Sequence, residues 1–165
     1  MAAPIVAVAQ ASTGSERAVL ESFLDFQRAS VVRKVLGVPD GDARRRLVPS
    51  ETTLAGLLAH LTLVEDNWFQ RVLTGSAPPG IGADGGWAVS EEDTVRGLVA
   101  AYEAECARSR ATAARYALDD TGTHPRLGPV SLRWIYVHMI EETGRHAGHA
   151  DILRELTDGA TGALG

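Results

Sequence analysis

The chain has 165 residues, 45% of them hydrophobic, and a formal net charge of −5. This length fits one domain that buries roughly 70% of its unfolded surface. The acidic balance argues against nucleic acid or an anionic membrane as the main partner, and no stretch reaches the ~18 apolar residues that cross a bilayer. Cys106 is the single cysteine, which excludes an intrachain disulfide. Because the N-terminus also lacks a basic, signal-like segment, we expect a soluble cytoplasmic protein.

Four long amphipathic helices are predicted, because apolar residues recur at i, i+3, i+4 and i+7 in four stretches. Segments rich in Gly and Pro separate them. The fourth helix is the longest, and Gly159 stands where a left-handed residue would end it. No segment shows a convincing strand pattern, so the simplest fold is an all-α, antiparallel four-helix bundle. The candidate N-caps of the four helices are Ser15, Thr52 or Thr53, Ser90 and Ser131.

We expect residues 15–159 to form a single domain, between a flexible tail over residues 1–14 and a short tail over residues 160–165. The connection over residues 76–90 has neither helix nor strand pattern and is long for a compact domain. Loops of this kind often cover a site, and Trp87 is expected to anchor this one by packing.

Three further features are expected to be structural. Cys106 lies on the inward face of the third helix and is interpreted as a small core residue. The arginine run at residues 44–46 is short, and in an acidic chain we interpret it as a solvated short helix or loop rather than an anion site. His124 lies in the loop over residues 117–129, directly before a proline, and is expected at the surface rather than among metal ligands.

Four polar residues share one narrow stripe of the fourth helix. At 100° per residue, His138, Glu142, His146 and His149 fall within about 80° of one another, on the side that also carries apolar residues. An inward polar group loses its water and needs a partner. A metal ion would satisfy several of these groups together, and the spacing of Glu142 and His146 brings both side chains within reach of one ion.

A third ligand has to come from another helix. His60 lies on the flank of the apolar stripe of the second helix, and Asn67 and Arg71 share its azimuth in a polar seam. Two interpretations remain open at this point. Either His60 joins Glu142 and His146 in a metal site, or these groups form a buried hydrogen-bond network without a metal.

Two sequence blocks resemble the DinB-like superfamily, and more narrowly its actinobacterial branch close to mycothiol-dependent enzymes. The resemblance covers nearly the whole chain from Ser15 to Gly159. It implies a four-helix bundle, commonly a homodimer, with a divalent metal held near one end. The blocks are Leu57-Leu58-Ala59-His60-Leu61 with Trp68-Phe69, and His138-Met139-Ile140-Glu141-Glu142-Thr143 with Arg145-His146-Ala147-Gly148-His149.

The resemblance also implies the ligands of this metal. The family's usual set is one His on the second helix and two on the fourth, four residues apart. Here Glu142 takes the place of the first of that pair, which resembles the mycothiol-dependent maleylpyruvate isomerase subgroup. By this correspondence His60, Glu142 and His146 are the ligands, with His138 or His149 as substitutes. Zinc is the first expectation, and nickel, iron and manganese are alternatives.

The implied function is a metal-dependent thiol S-transferase or thiol-assisted isomerase that uses a small thiol such as mycothiol and an electrophilic substrate. His149, Arg71 and Arg145 are the catalytic candidates, and Asn67 and Arg71 are candidates for cofactor binding. Arginines suit this role because they bind carboxylates. The main alternative is a non-catalytic dimer in which the metal joins the helices. A two-His-one-carboxylate iron(II) oxygenase has the same ligand set but usually a strand-based scaffold.

Overall fold

The computed structural model describes residues 4–78, 80–81 and 85–162. Residues 1–3, 79, 82–84 and 163–165, which belong to the predicted tails and loop, lie outside this range. The described protein is mostly helical with one small sheet. Its elements are α1 (Pro4–Gln10), α2 (Glu16–Val35), α3 (Asp40–Ala43), α4 (Leu54–Glu65), a π-helical segment (Asp66–Val72), α5 (Val95–Ala113), β1 (Thr121–His124), β2 (Gly128–Ser131) and α6 (Leu132–Asp158).

Side-chain caps start the long helices, as the sequence predicts for three of them. Ser15, Thr53 and Ser131 each accept a hydrogen bond from the backbone N–H three residues later. Such a bond satisfies one of the otherwise unpaired donors of the first turn. Gly159 ends α6 with a φ of 77°, the left-handed conformation that glycine adopts without strain.

The predicted start of the third helix at Ser90 is wrong. Ser90 instead forms a turn, in which its N–H donates to Asp93 Oδ2 at 2.7 Å and its carbonyl accepts from Asp93 N–H at 3.2 Å. Short polar side chains compete for backbone groups in this way. The N-cap is Thr94, whose hydroxyl accepts from Gly97 N–H at 3.1 Å.

The expectation of a chain without strands is also wrong. β1 and β2 form an antiparallel hairpin inside the predicted loop, with Thr121 opposite Ser131. The hairpin packs directly on the end of the π-helical segment, because a Cβ added to Gly122 would lie only 2.1 Å from the carbonyl oxygen of Val72. Four-residue strands containing Gly and Pro carry little periodic signal, and this backbone contact is not encoded in any local pattern.

The second predicted helix is continuous only in part. It is α-helical to Glu65 and then π-helical over Asp66–Val72. The predicted N-terminal tail contains the short helix α1, which packs against α2. Among the described residues, no helix combines the length and the apolar character required to span a bilayer.

Two buried apolar clusters fill the interior. α2 packs along α6, and α4 packs on both α5 and α6. One cluster joins the C-terminal halves of α2 and α6 to the start of α4 and α5, and the other joins their opposite ends. Along α6, Glu142 lies between Met139 of one cluster and Ala147 of the other, whereas His60 on α4 lies between Leu58 and Leu61, which belong to the same cluster.

A buried ion pair joins α2 to the end of α4. Arg28 Nε donates to Glu65 Oε1 at 2.7 Å and Arg28 Nη2 to Oε2 at 2.6 Å. The two side chains are 5% and 0% exposed. Arg28 also pairs with Asp25 at 2.9 Å, which lies nearer the surface.

Candidate metal centre

His60, Glu142 and His146 come together between α4 and α6. Glu142 Oε1 lies 3.3 Å from His60 Nε2 and 3.1 Å from His146 Nε2. One potential ligand atom from each residue lies within 4.8 Å of the others. The i, i+4 spacing on α6 places Glu142 and His146 one above the other, and α4 supplies the third group from across the interface.

The ring of His60 is held in one orientation. Its Nδ1 lies 2.5 Å from the carbonyl oxygen of Gly85, which can only accept, so Nδ1 carries the proton in the neutral ring. Trp87 stacks on the same ring, with centroids 4.3 Å apart and an interplanar angle of 6°. The unprotonated Nε2 therefore points at the cluster, and the predicted anchoring role of Trp87 is confirmed.

His146 has its own outer partner, since its Nδ1 lies 3.2 Å from Nδ1 of His149. His149 is itself mostly exposed, and its pKa lies below the usual value because burial and the neighbouring His146 disfavour the charged form. His149 therefore contacts the cluster through Nδ1 of His146. Partners of this kind fix the orientation of metal-binding imidazoles.

The carboxylate of Glu142 has partners at both of its oxygens. Its Oε2 accepts from Arg145 Nη2 at 2.6 Å. The imidazoles of His146 and His60, together with the guanidinium of Arg145, hold the pKa of Glu142 well below its usual range, against the opposing effect of burial. Two imidazole nitrogens and a carboxylate oxygen that converge in this way could hold a cation between them. The donor set fits a divalent metal ion such as zinc.

A cavity of about 310 Å³ opens beside the cluster. It is bordered by two of the cluster residues, by the start of the π-helical segment, by the hairpin turn and by the first half of α6. An ion held by the cluster would face this cavity on one side. The polar and aromatic side chains of the wall are His60, Asn67, Trp68, His124, Arg126, His138 and Glu142.

Stacked aromatic rings form the wall opposite the cluster. Trp68 stacks on His124 with centroids 5.1 Å apart, and its centroid lies 4.5 Å from that of His138. His138 in turn stacks on Trp134 at 5.2 Å. His138 belongs to this aromatic wall rather than to the cluster, and burial lowers its pKa. His124 is half-buried here, so the expectation of a surface histidine holds only in part.

The other predicted site residues lie at different places. Asn67 borders the cavity and its Oδ1 accepts from Gly80 N–H at 2.7 Å. Arg145 contacts the cluster only through Glu142 and is otherwise paired with Glu141. Arg71 is not brought to the cluster, because it pairs with Asp66 at 2.6 Å and borders a separate cavity of about 670 Å³.

The π-helical segment explains the position of Arg71. The polar seam with His60 assumes an unbroken α-helix, but a π-helix has more residues per turn. Each residue after Glu65 therefore advances by a smaller angle, and Arg71 rotates away from the azimuth of His60. π-helical turns occur frequently at functional sites, and this one carries Asn67 and Trp68 into the cavity wall.

Sequence reasoning missed Arg126 altogether. The residue lies in the turn of the hairpin, a segment predicted as a plain loop, and borders the cavity. No periodicity could have placed it there. The only available signal is its position two residues after His124.

The fold and the site together define a helical protein with a His–Glu–His cluster that could hold a metal ion. A family model described as Mycothiol-S-transferase matches residues 19–159. The chain therefore belongs to the mycothiol S-transferase family, a DinB-like family, as the resemblance predicts. No match was found among curated proteins.

Proposed function

We propose that this protein is a metal-dependent thiol S-transferase that joins a small thiol such as mycothiol to an electrophile. The observation that carries the proposal is the His60–Glu142–His146 cluster, which is preorganised and open to a cavity of about 310 Å³. Membership of the mycothiol S-transferase family supports the choice of thiol. Zinc is the proposed ion, because two imidazoles and a carboxylate that leave a position open are typical of catalytic zinc sites.

A divalent ion bound there would supply a Lewis-acidic position that lowers the pKa of a thiol. His60, Glu142 and His146 would hold it. Gly85, through its carbonyl oxygen 2.5 Å from Nδ1, fixes the tautomer of His60. His149, whose Nδ1 lies 3.2 Å from the outer nitrogen of His146, orients that ring, so its predicted catalytic role is here an orienting one.

His138 is the proposed proton acceptor. It borders the cavity, and because burial lowers its pKa below the usual value, it is neutral near pH 7 and able to accept a proton. The thiol gives its proton to His138, and a sulfur lone pair forms the new bond to the electrophilic carbon. The bond to the leaving group breaks and its electron pair departs with that group.

The assembly is also part of the proposal. We propose that the four long helices form an antiparallel bundle and that two copies form a cytoplasmic homodimer, as the resemblance implies. Exposed apolar side chains on the outer face of α6 support an interface there: Val137 is 54% exposed, Ile152 58% and Leu156 52%. Sedimentation velocity of the native protein and of a Val137→Glu, Ile152→Glu variant tests the dimer.

A non-catalytic role for a metal that joins α4 to α6 is the second candidate. Trp87 favours it, because the indole covers one face of His60 and borders His146 at 5.5 Å between ring centroids. Such cover would leave less room for a fourth ligand. This candidate predicts full metal loading without any thiol transfer.

One experiment separates the two. Protein purified without an affinity tag is analysed for metal, and then the consumption of mycothiol by iodoacetamide is followed above the uncatalysed rate. The proposal expects about one divalent ion per chain and a metal-dependent rate that a chelator abolishes. Metal at full occupancy without any added rate would favour the non-catalytic bundle.

A further inference from the structure

Arg126 is an exposed residue that places a positive charge at the border of the cavity. Among the described residues that border the cavity it is the one Arg or Lys, and no ion pair or side-chain hydrogen bond of its guanidinium occurs within the described chain. The other candidate arginines differ in this respect. Arg145 is bonded to Glu141 and Glu142, and Arg71 is bonded to Asp66.

The turn that carries Arg126 is held by His124. The backbone N–H groups of Arg126 and Leu127 donate to His124 Nδ1 at 3.3 and 3.2 Å. The neutral ring therefore carries its proton on Nε2, which makes that nitrogen a donor. Stacking on Trp68 fixes the plane of the ring.

The charges around the cavity favour an anion. Glu142 is the one acidic residue among its described walls, and its oxygens are already engaged by His60, His146 and Arg145. A negative group that enters at the hairpin would meet the guanidinium of Arg126, which has no ion-pair partner among the described residues and whose planar fork matches a carboxylate.

We infer that Arg126 is a specificity-determining residue, which binds the carboxylate of the electrophile while the electrophilic carbon faces the His60–Glu142–His146 cluster. The substrates are thus electrophiles that carry an anionic group. This inference rests on the proposed function in one respect, the assignment of the cavity to the electrophile.

Iodoacetate and iodoacetamide test the inference, because they share a leaving group and differ in charge. Arg126→Ala should lower kcat/KM for iodoacetate about tenfold, the effect of one charge-assisted hydrogen bond at an exposed position, and leave iodoacetamide within about twofold. Arg126→Lys should recover part of the loss. The matched control is Arg96→Ala, an exposed arginine outside the cavity walls. Equal losses for both reagents in Arg126→Ala would overturn the inference.

A binding measurement separates this inference from the proposed function. Tryptophan fluorescence of the metal-loaded protein is titrated with propionate and with propionamide, without thiol. Saturable binding of propionate alone, lost in Arg126→Ala and kept in Arg96→Ala, supports the anion site even if no thiol transfer is found. Thiol transfer accompanied by propionate binding that Arg126→Ala does not weaken overturns the anion site and leaves the proposed function intact.

Discussion

Replacing His60 by alanine removes one of three groups around the proposed ion. Its Nε2 faces Glu142 at 3.3 Å and its Nδ1 lies 2.5 Å from the carbonyl oxygen of Gly85, so its removal leaves Glu142 and His146 of the three-residue cluster. His60 is largely buried but contributes to no apolar cluster. We therefore expect His60→Ala to lose metal affinity while the helices persist.

The size of the effect follows from the number of ligands. Four-ligand zinc sites bind with about 10–16 kcal/mol in total, or about 2.5–4 kcal/mol per ligand. Loss of one ligand should raise the Kd for zinc by about a hundredfold to a thousandfold. At a zinc concentration of about 100 times the native Kd, binding stabilises the native protein by about 2.7 kcal/mol, and the variant by about 0.4 kcal/mol or less.

Thermal unfolding with and without zinc measures this difference. A domain of this size gains about 2–4 °C in Tm per kcal/mol, so zinc should raise the native Tm by about 5–11 °C and that of His60→Ala by less than about 2 °C. His138→Ala is the control, since that imidazole borders the same cavity but not the cluster, and it should keep the native shift. A native zinc shift in His60→Ala, with circular dichroism unchanged, would refute the ligand assignment.

Three further outcomes are expected. Glu65→Gln removes the charged partner of the buried Arg28 and should lower the free energy of unfolding in urea titrations by about 3–5 kcal/mol. The double variant Arg28→Met, Glu65→Leu should regain most of this loss, and an equal loss in the double variant would contradict the pairing. Burial raises the pKa of Cys106 to about 12, so at pH 8 the native thiol is protonated and should resist iodoacetamide until the protein is unfolded. Rapid alkylation of the folded protein would contradict this expectation. Gly122→Ala places a Cβ 2.1 Å from a carbonyl oxygen and should destabilise the protein by about 1–3 kcal/mol or more, while Gly148→Ala, with open space around the added methyl group, should be neutral or stabilising in the same thermal melt.

The helices and the cluster could be predicted because both depend on local spacing. A Ser or Thr before an apolar-periodic stretch marks a helix start, and this holds for Ser15 and Ser131. The i, i+4 spacing of Glu142 and His146 fixes their common face once α6 exists. His60 required one more step, the assumption that two polar positions on facing helices meet.

The remainder of the site depends on features without a local signal. The π-helical segment shifts every residue after Glu65, which moves Arg71 away from His60. The hairpin packs through Gly122 against a helix end that is distant in sequence, and it carries His124 and Arg126 to the cavity. Neither event can be read from a 100° helical projection, because each depends on packing between segments far apart in sequence.

The contact of Gly122 with the end of the π-helical segment also bears on which substrates fit. It joins two stretches of main chain, so the separation between the hairpin turn and the His60–Glu142–His146 cluster is set by the backbone and not by adjustable side chains. Substrates with the same reactive group and the same charged group would then differ in activity according to the number of bonds between those two groups. We expect a homologous series of ω-halo carboxylates to show one optimal chain length, and an insertion in the turn to move that optimum.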